Sequence, residues 1–131
     1  MSTAPKVLVI DDDKHFATLV AGQLRAAGYQ ALIAFDPPQG LMLAQRELPN
    51  LILLDLHMPA GGGLALLGRL VGNVKTNGIP VVMVTAETNP GLEADLVRQG
   101  AAGFLAKPCD GAALLAKVHQ TLGAPPADGK V

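Results

Sequence analysis

The sequence predicts an α/β fold built around a parallel sheet. Five short apolar runs, Val7–Ile10, Ala31–Phe35, Leu51–Leu54, Val81–Val84 and Gly103–Ala106, recur at roughly even spacing. Several are apolar at every position instead of alternating, as expected of strands covered on both faces. The gaps between them carry helical periodicity, so the order reads βαβαβαβαβα. Crossovers of one hand then place helices on both sides of the sheet.

After the first strand, Phe16, Leu19, Val20 and Leu24 fall at i, i+3, i+4 and i+8, and Gly28 is a stop signal. Asp13 lies where this helix begins and reads as its cap. Leu41, Ala44 and Leu48 form the face of a second helix that Pro49 ends, with Asp36 as N-cap and Pro37 at the first helical position. Leu64, Leu67, Leu70 and Val71 outline a third. Leu92, Leu96 and Val97 outline a fourth, with Asn89 as cap, Pro90 inside it and Gly100 after it. Leu114, Leu115, Val118 and Leu122 outline a fifth, capped by Asp110. Residues 1–122 are expected to form one domain. Gly123 to Val131 has no apolar face and is expected to be a mobile tail.

The composition narrows the function. A chain of 131 residues holds one domain with a real core, and aromatics at 3% leave that core to Val, Leu, Ile and Ala. A net charge of -1 provides no broad basic field, which argues against direct nucleic-acid binding. No apolar run reaches transmembrane length, so no membrane role is expected. Met1 to Pro5 lack the regions of a signal peptide, and the single Cys109 suits a reducing compartment. The expected location is cytoplasmic.

Polar groups gather at the strands' carboxyl ends, where ligands bind in open α/β sheets. Asp11, Asp12 and Asp13 follow Ile10, Asp55 follows Leu54, Thr85 follows Val84, and Lys107 follows Ala106. A hard divalent cation such as Mg²⁺ or Mn²⁺ takes oxygen ligands, which Asp12, Asp55 and the backbone carbonyl of His57 can supply. Clustered acids should raise at least one carboxyl pKa, and metal affinity should fall at low pH. Asp55 is the candidate nucleophile, because carboxylates attack phosphorus to give aspartyl-phosphates. Lys107 would add a positive contact and Thr85 a hydroxyl donor to a phosphoryl oxygen.

These motifs resemble the receiver domain of two-component response regulators, including the chemotaxis receivers. The resemblance rests on Val9-Ile10-Asp11-Asp12, on Leu53 to Pro59 with Gly63, on Val84-Thr85-Ala86, and on Gly100 to Pro108; it covers about Lys6 to Leu122. It implies a flavodoxin-like three-layer sandwich with strand order 2-1-3-4-5. It further implies that Asp55 accepts a phosphoryl group from a sensor histidine kinase or a histidine phosphotransfer protein. Asp12 and Asp55 would bind magnesium directly, Asp11 through water, and Lys107 would pair with the phosphoryl group. Thr85 and Phe104 would form the switch, read out on the fourth helix, fifth strand and fifth helix by a downstream protein or output domain. Such a chain phosphorylates and dephosphorylates itself with magnesium and is no turnover enzyme.

The chain departs from the usual pattern at Gly61-Gly62-Gly63, expected to loosen the loop, and at Cys109, read as a small hydrophobe. His57 and Glu87 would flank the phosphoryl group and affect attack of water on it. One rival is a haloacid-dehalogenase-type phosphatase with Asp11 as nucleophile and Asp13 as general acid, which leaves Asp55 unexplained and lacks a second acidic pair. An FMN binder is a poorer match, because carboxylates after the first strand would repel phosphate.

Overall fold

The computed structural model describes residues 4–59 and 62–123. Five strands alternate with five helices: β1 Lys6–Ile10, α1 Lys14–Ala26, β2 Gln30–Ala34, α2 Pro37–Glu47, β3 Leu51–Asp55, α3 Gly62–Gly72, β4 Val81–Thr85, α4 Leu92–Arg98, β5 Gly103–Ala106 and α5 Gly111–Leu122. All strand pairs are parallel and the order is β2-β1-β3-β4-β5. The direction of winding reverses at β1, so a crevice opens between the carboxyl ends of β1 and β3.

Pleating sends alternate strand residues into two cores. Leu8, Ile10, Ile52, Leu54 and Met83 meet α2, α3 and α4 on one face. Val7, Val9, Leu51, Leu53, Val82 and Val84 meet α1 and α5 on the other. Both faces of the central strands are therefore dry, which is why their sequences do not alternate. Each buried Leu or Val contributes about 1.5–3 kcal/mol of transfer free energy.

Three helix starts follow their sequence signals. Asp13, Asp36 and Asp110 each accept a backbone N–H, from Phe16, Gln39 and Ala113 at 3.1, 2.8 and 2.7 Å. The fourth does not. Asn89 caps nothing; Asn89 to Leu92 form a turn closed by the Leu92 N–H to the Asn89 carbonyl at 3.2 Å. Gly91 at φ 82 and ψ -6 occupies the left-handed position that a Pro-Gly type II turn needs, so Pro90 precedes α4 instead of opening it.

The buried faces also differ in part from expectation. Leu19 is 54% exposed, whereas Ala17, Val20, Ala21 and Leu24 are buried. The i, i+4 line through the two alanines brings α1 close to the sheet, and Leu19 lies off it. Leu48 is 56% exposed: it stands past the last turn of α2 as the C-cap, at a left-handed φ of 46, and Pro49 after it cannot continue the helix. Leu64, Val71 and Val97 are likewise exposed, and Leu66 joins Leu67 and Leu70 on the buried side of α3. Gly123 caps α5 at φ 90; the remaining tail residues, and Gly61 of the glycine run, lie outside the described residues.

Gly22 lies within α1 with nothing within 4 Å of an added Cβ. Gly22→Ala should therefore stabilise the protein by about 0.5–1 kcal/mol through helix propensity alone. A urea melt tests this, and a loss of stability would show that α1 does not sit as described.

Candidate functional site

Strand register assembles the site. Ile10 pairs with Leu54, so Asp11 and Asp55 emerge side by side. Asp55 pairs with Val84 and Thr85 with Ala106, which sets Thr85 and then Lys107 successively further along the same edge. Backbone bonds hold this geometry beyond the strands: Asp11 N–H to Ala34 at 3.0 Å, Leu56 N–H to Val84 at 3.0 Å and Lys107 N–H to Thr85 at 2.8 Å.

The acids occupy different depths. Asp11 and Asp55 are 2% and 6% exposed, while Asp12 faces solvent. Carboxylate oxygens of all three lie within 4.8 Å of one another. The Lys107 ammonium donates to Asp11 Oδ2 at 2.8 Å and reaches Asp55 Oδ1 only at 3.5 Å. The lysine therefore rests mainly on Asp11. The second Asp11 oxygen accepts the Asp13 N–H at 2.9 Å.

Electrostatics follow from this arrangement. Burial, then the charge of Asp11, pushes the Asp55 carboxyl up to about 6, and Lys107 offsets only part of this. Repulsion among the acids was the expected cause, but desolvation is the larger one. Burial draws the Lys107 ammonium down, yet its hydrogen bonds and charge contacts with Asp11 and Asp55 together outweigh that and raise it overall.

Thr85 is 1% exposed, and its hydroxyl oxygen accepts the Glu87 N–H at 3.1 Å. That bond leaves the hydroxyl proton free to donate. Phe104 is half-buried against the α3–α4 core. The His57 and Glu87 side chains meet each other at 2.7 Å, a pairing across the loops after β3 and β4 that the sequence did not reveal. Cys109 packs against the α1–α5 core, and burial raises its thiol pKa, in keeping with a small hydrophobe.

The donor set suits a hard divalent cation. Three carboxylates lie together, only Asp11 and Asp55 touch the Lys107 ammonium, and oxygen-only ligands of this charge match magnesium or manganese. Asp13 is committed to capping α1, which leaves it poorly placed to serve as the acid of a phosphatase.

Known proteins are similar to this chain in sequence and in fold. Response regulator PleD of Caulobacter vibrioides is 37% identical over 114 residues, spanning 87% of this chain but 25% of PleD. Protein PilH of Pseudomonas aeruginosa is 32% identical over 120 residues, spanning 89% of this chain and 97% of PilH. The chemotaxis response regulator CheY4 of Vibrio cholerae superposes with a TM-score of 0.85 at 29% identity, covering 91% of this chain and 99% of that one. No similarity supports the phosphatase reading. The response regulator receiver domain family matches residues 7–119, and the chain belongs to that family.

Proposed function

We propose that Asp55 is the phosphoryl acceptor of this receiver and that the donor is a phosphohistidine on a sensor histidine kinase or histidine phosphotransfer protein. The observation that carries this reading is the buried Asp55 carboxylate beside the Lys107 ammonium at a parallel sheet's switch point. An Asp55 oxygen would bond to phosphorus as the donor's P–N bond breaks, and the freed imidazole would leave on the donor. Lys107 would move from Asp11 toward the new phosphoryl oxygens, a short shift given its 2.8 and 3.5 Å contacts. Thr85 would donate its unused hydroxyl proton to the same group.

Asp12, Asp55 and the His57 carbonyl would hold a magnesium or manganese ion, with Asp11 acting through water. When bound, that ion neutralises charge on the transferring group. The phosphoryl group adds charge and acceptor oxygens at one strand end. Recruitment of Thr85, with Phe104 following it inward, would bias the surface of α4, β5 and α5 toward a downstream protein or output domain. The chain would act on no separate substrate. An unpaired Cys109 fits a reducing, cytoplasmic setting.

Intact mass after incubation with acetyl phosphate tests this reading. Wild type should gain one phosphoryl increment in magnesium and none in chelator. Asp11→Asn should accept far less. Steady phosphate release without any adduct would contradict the proposal.

A further inference from the structure

We infer that Phe16 is a positioning residue for Lys107, holding the ammonium through the face of its ring. This rests on Lys107 being the cation that meets the phosphoryl group. Lys107 Nζ lies 4.3 Å from the Phe16 ring centroid, within the range of a cation–π contact. The Lys107 side chain is only 19% exposed, so the ring competes with little water.

The chemistry of this contact differs from that of the two carboxylates. Asp11 and Asp55 take directional hydrogen bonds from the ammonium. A ring face attracts the same charge through its quadrupole and engages no particular N–H. Phe16 can therefore restrain where Nζ sits while leaving its protons to be exchanged between Asp11, Asp55 and an incoming oxygen. A carboxylate in that place would bind the lysine too firmly to release it. An aliphatic side chain would leave the ammonium's third side against uncharged surface with no attraction.

The ring itself is anchored. Phe16's backbone N–H is the one that Asp13 caps at 3.1 Å, so the first turn of α1 sets the ring's position. The ring is half-buried against the α1–α5 core and borders a void of about 10 Å³ shared with Asp11, Asp55, Leu105 and Leu114. Small ring substituents can thus be accommodated. Asp13, the cap of α1, is thereby connected through Phe16 to the phosphorylation site.

The test replaces Phe16 with mono-, di- and trifluorinated phenylalanine, which weakens the quadrupole stepwise at nearly constant shape, and with Leu. Phosphorylation by acetyl phosphate should slow at each step, reaching about fivefold for the trifluorinated ring and for Phe16→Leu. Melting temperatures across the fluorinated series should stay level. The Lys107 ε-methylene protons, assigned by their loss in Lys107→Arg, should be shielded by the ring in wild type and move downfield in Phe16→Leu. A flat rate across the series, or ε-methylene shifts unaffected by Phe16→Leu, would overturn the inference. If wild type accepts no phosphoryl group, the acceptor reading fails, and the ε-methylene shifts still decide the role of Phe16.

Discussion

Asp55→Asn is expected to abolish phosphoryl acceptance and, in the metal-free protein, to raise stability at pH 7 by about 2 kcal/mol. The first effect follows from loss of the nucleophilic oxygen. The second follows from burial and Asp11, which push the Asp55 carboxyl to about 6 from a usual value of 3.8. Between those two values the folded protein binds a proton that the unfolded chain has released. Stability therefore falls as pH rises from about 4 to about 6, and the loss is complete above that window. A shift of this size corresponds to about 3 kcal/mol, which water entering at the mouth of the crevice trims. Asn is neutral at every pH and escapes the penalty. Urea melts should show the gain at pH 7 and not at pH 4; equal gains at both would refute the electrostatic account. Magnesium should restore stability to wild type and affect Asp55→Asn much less, since the ion offsets the charge of the buried Asp55 carboxylate.

Gly63→Ala should destabilise the fold by about 3 kcal/mol, although alanine is the better helix former. A Cβ at Gly63 would lie 2.1 Å from the Asp55 carbonyl oxygen, 2.5 Å from that of Leu56 and 2.7 Å from the Leu56 Cα. These are backbone atoms of the segment that carries Asp55, so no side chain can swing aside to relieve the clash. Gly62 is also tight, at 2.5 Å from Met58 Cβ. Gly62 and Gly63, two of the glycines that suggested a loosened loop, instead let the first turn of α3 pack onto the end of β3. Gly63→Ala should also slow phosphorylation, because relief of the clash displaces Asp55. Gly72→Ala, with nothing within 4 Å, is the control. A melt for Gly63→Ala matching wild type would mean that α3 starts elsewhere.

The features legible in the sequence are those decided within a few residues. Asp13, Asp36 and Asp110 cap helices because a side-chain oxygen reaches an N–H three residues on, and the intervening chain holds it there. Strand positions were legible because burial on both faces leaves unbroken apolar runs. The same local reasoning failed at α4, where Pro90-Gly91 made a turn before the helix could start. It also failed on helix faces, because the large Leu19 drew attention from the small alanines that touch the sheet.

The polar side chains at the site were legible as residue types at strand ends, but their pairings were not. Lys107 lies 96 residues from Asp11 and 52 from Asp55, yet it sits closer to Asp11. That preference arises from parallel register and from the different depths of two carboxylates. The His57–Glu87 contact spans 30 residues and joins two loops whose separation no local pattern encodes. The ring of Phe16 beneath Lys107 is of the same kind. Local chain chemistry thus established the order of elements, the helix caps and the residues gathered at one sheet edge. Folding in three dimensions settled which charges touch, which glycine must remain glycine and how far Asp55 is desolvated. Coulomb, desolvation and contact energies depend on distances across the sheet, and sequence separation does not determine those distances.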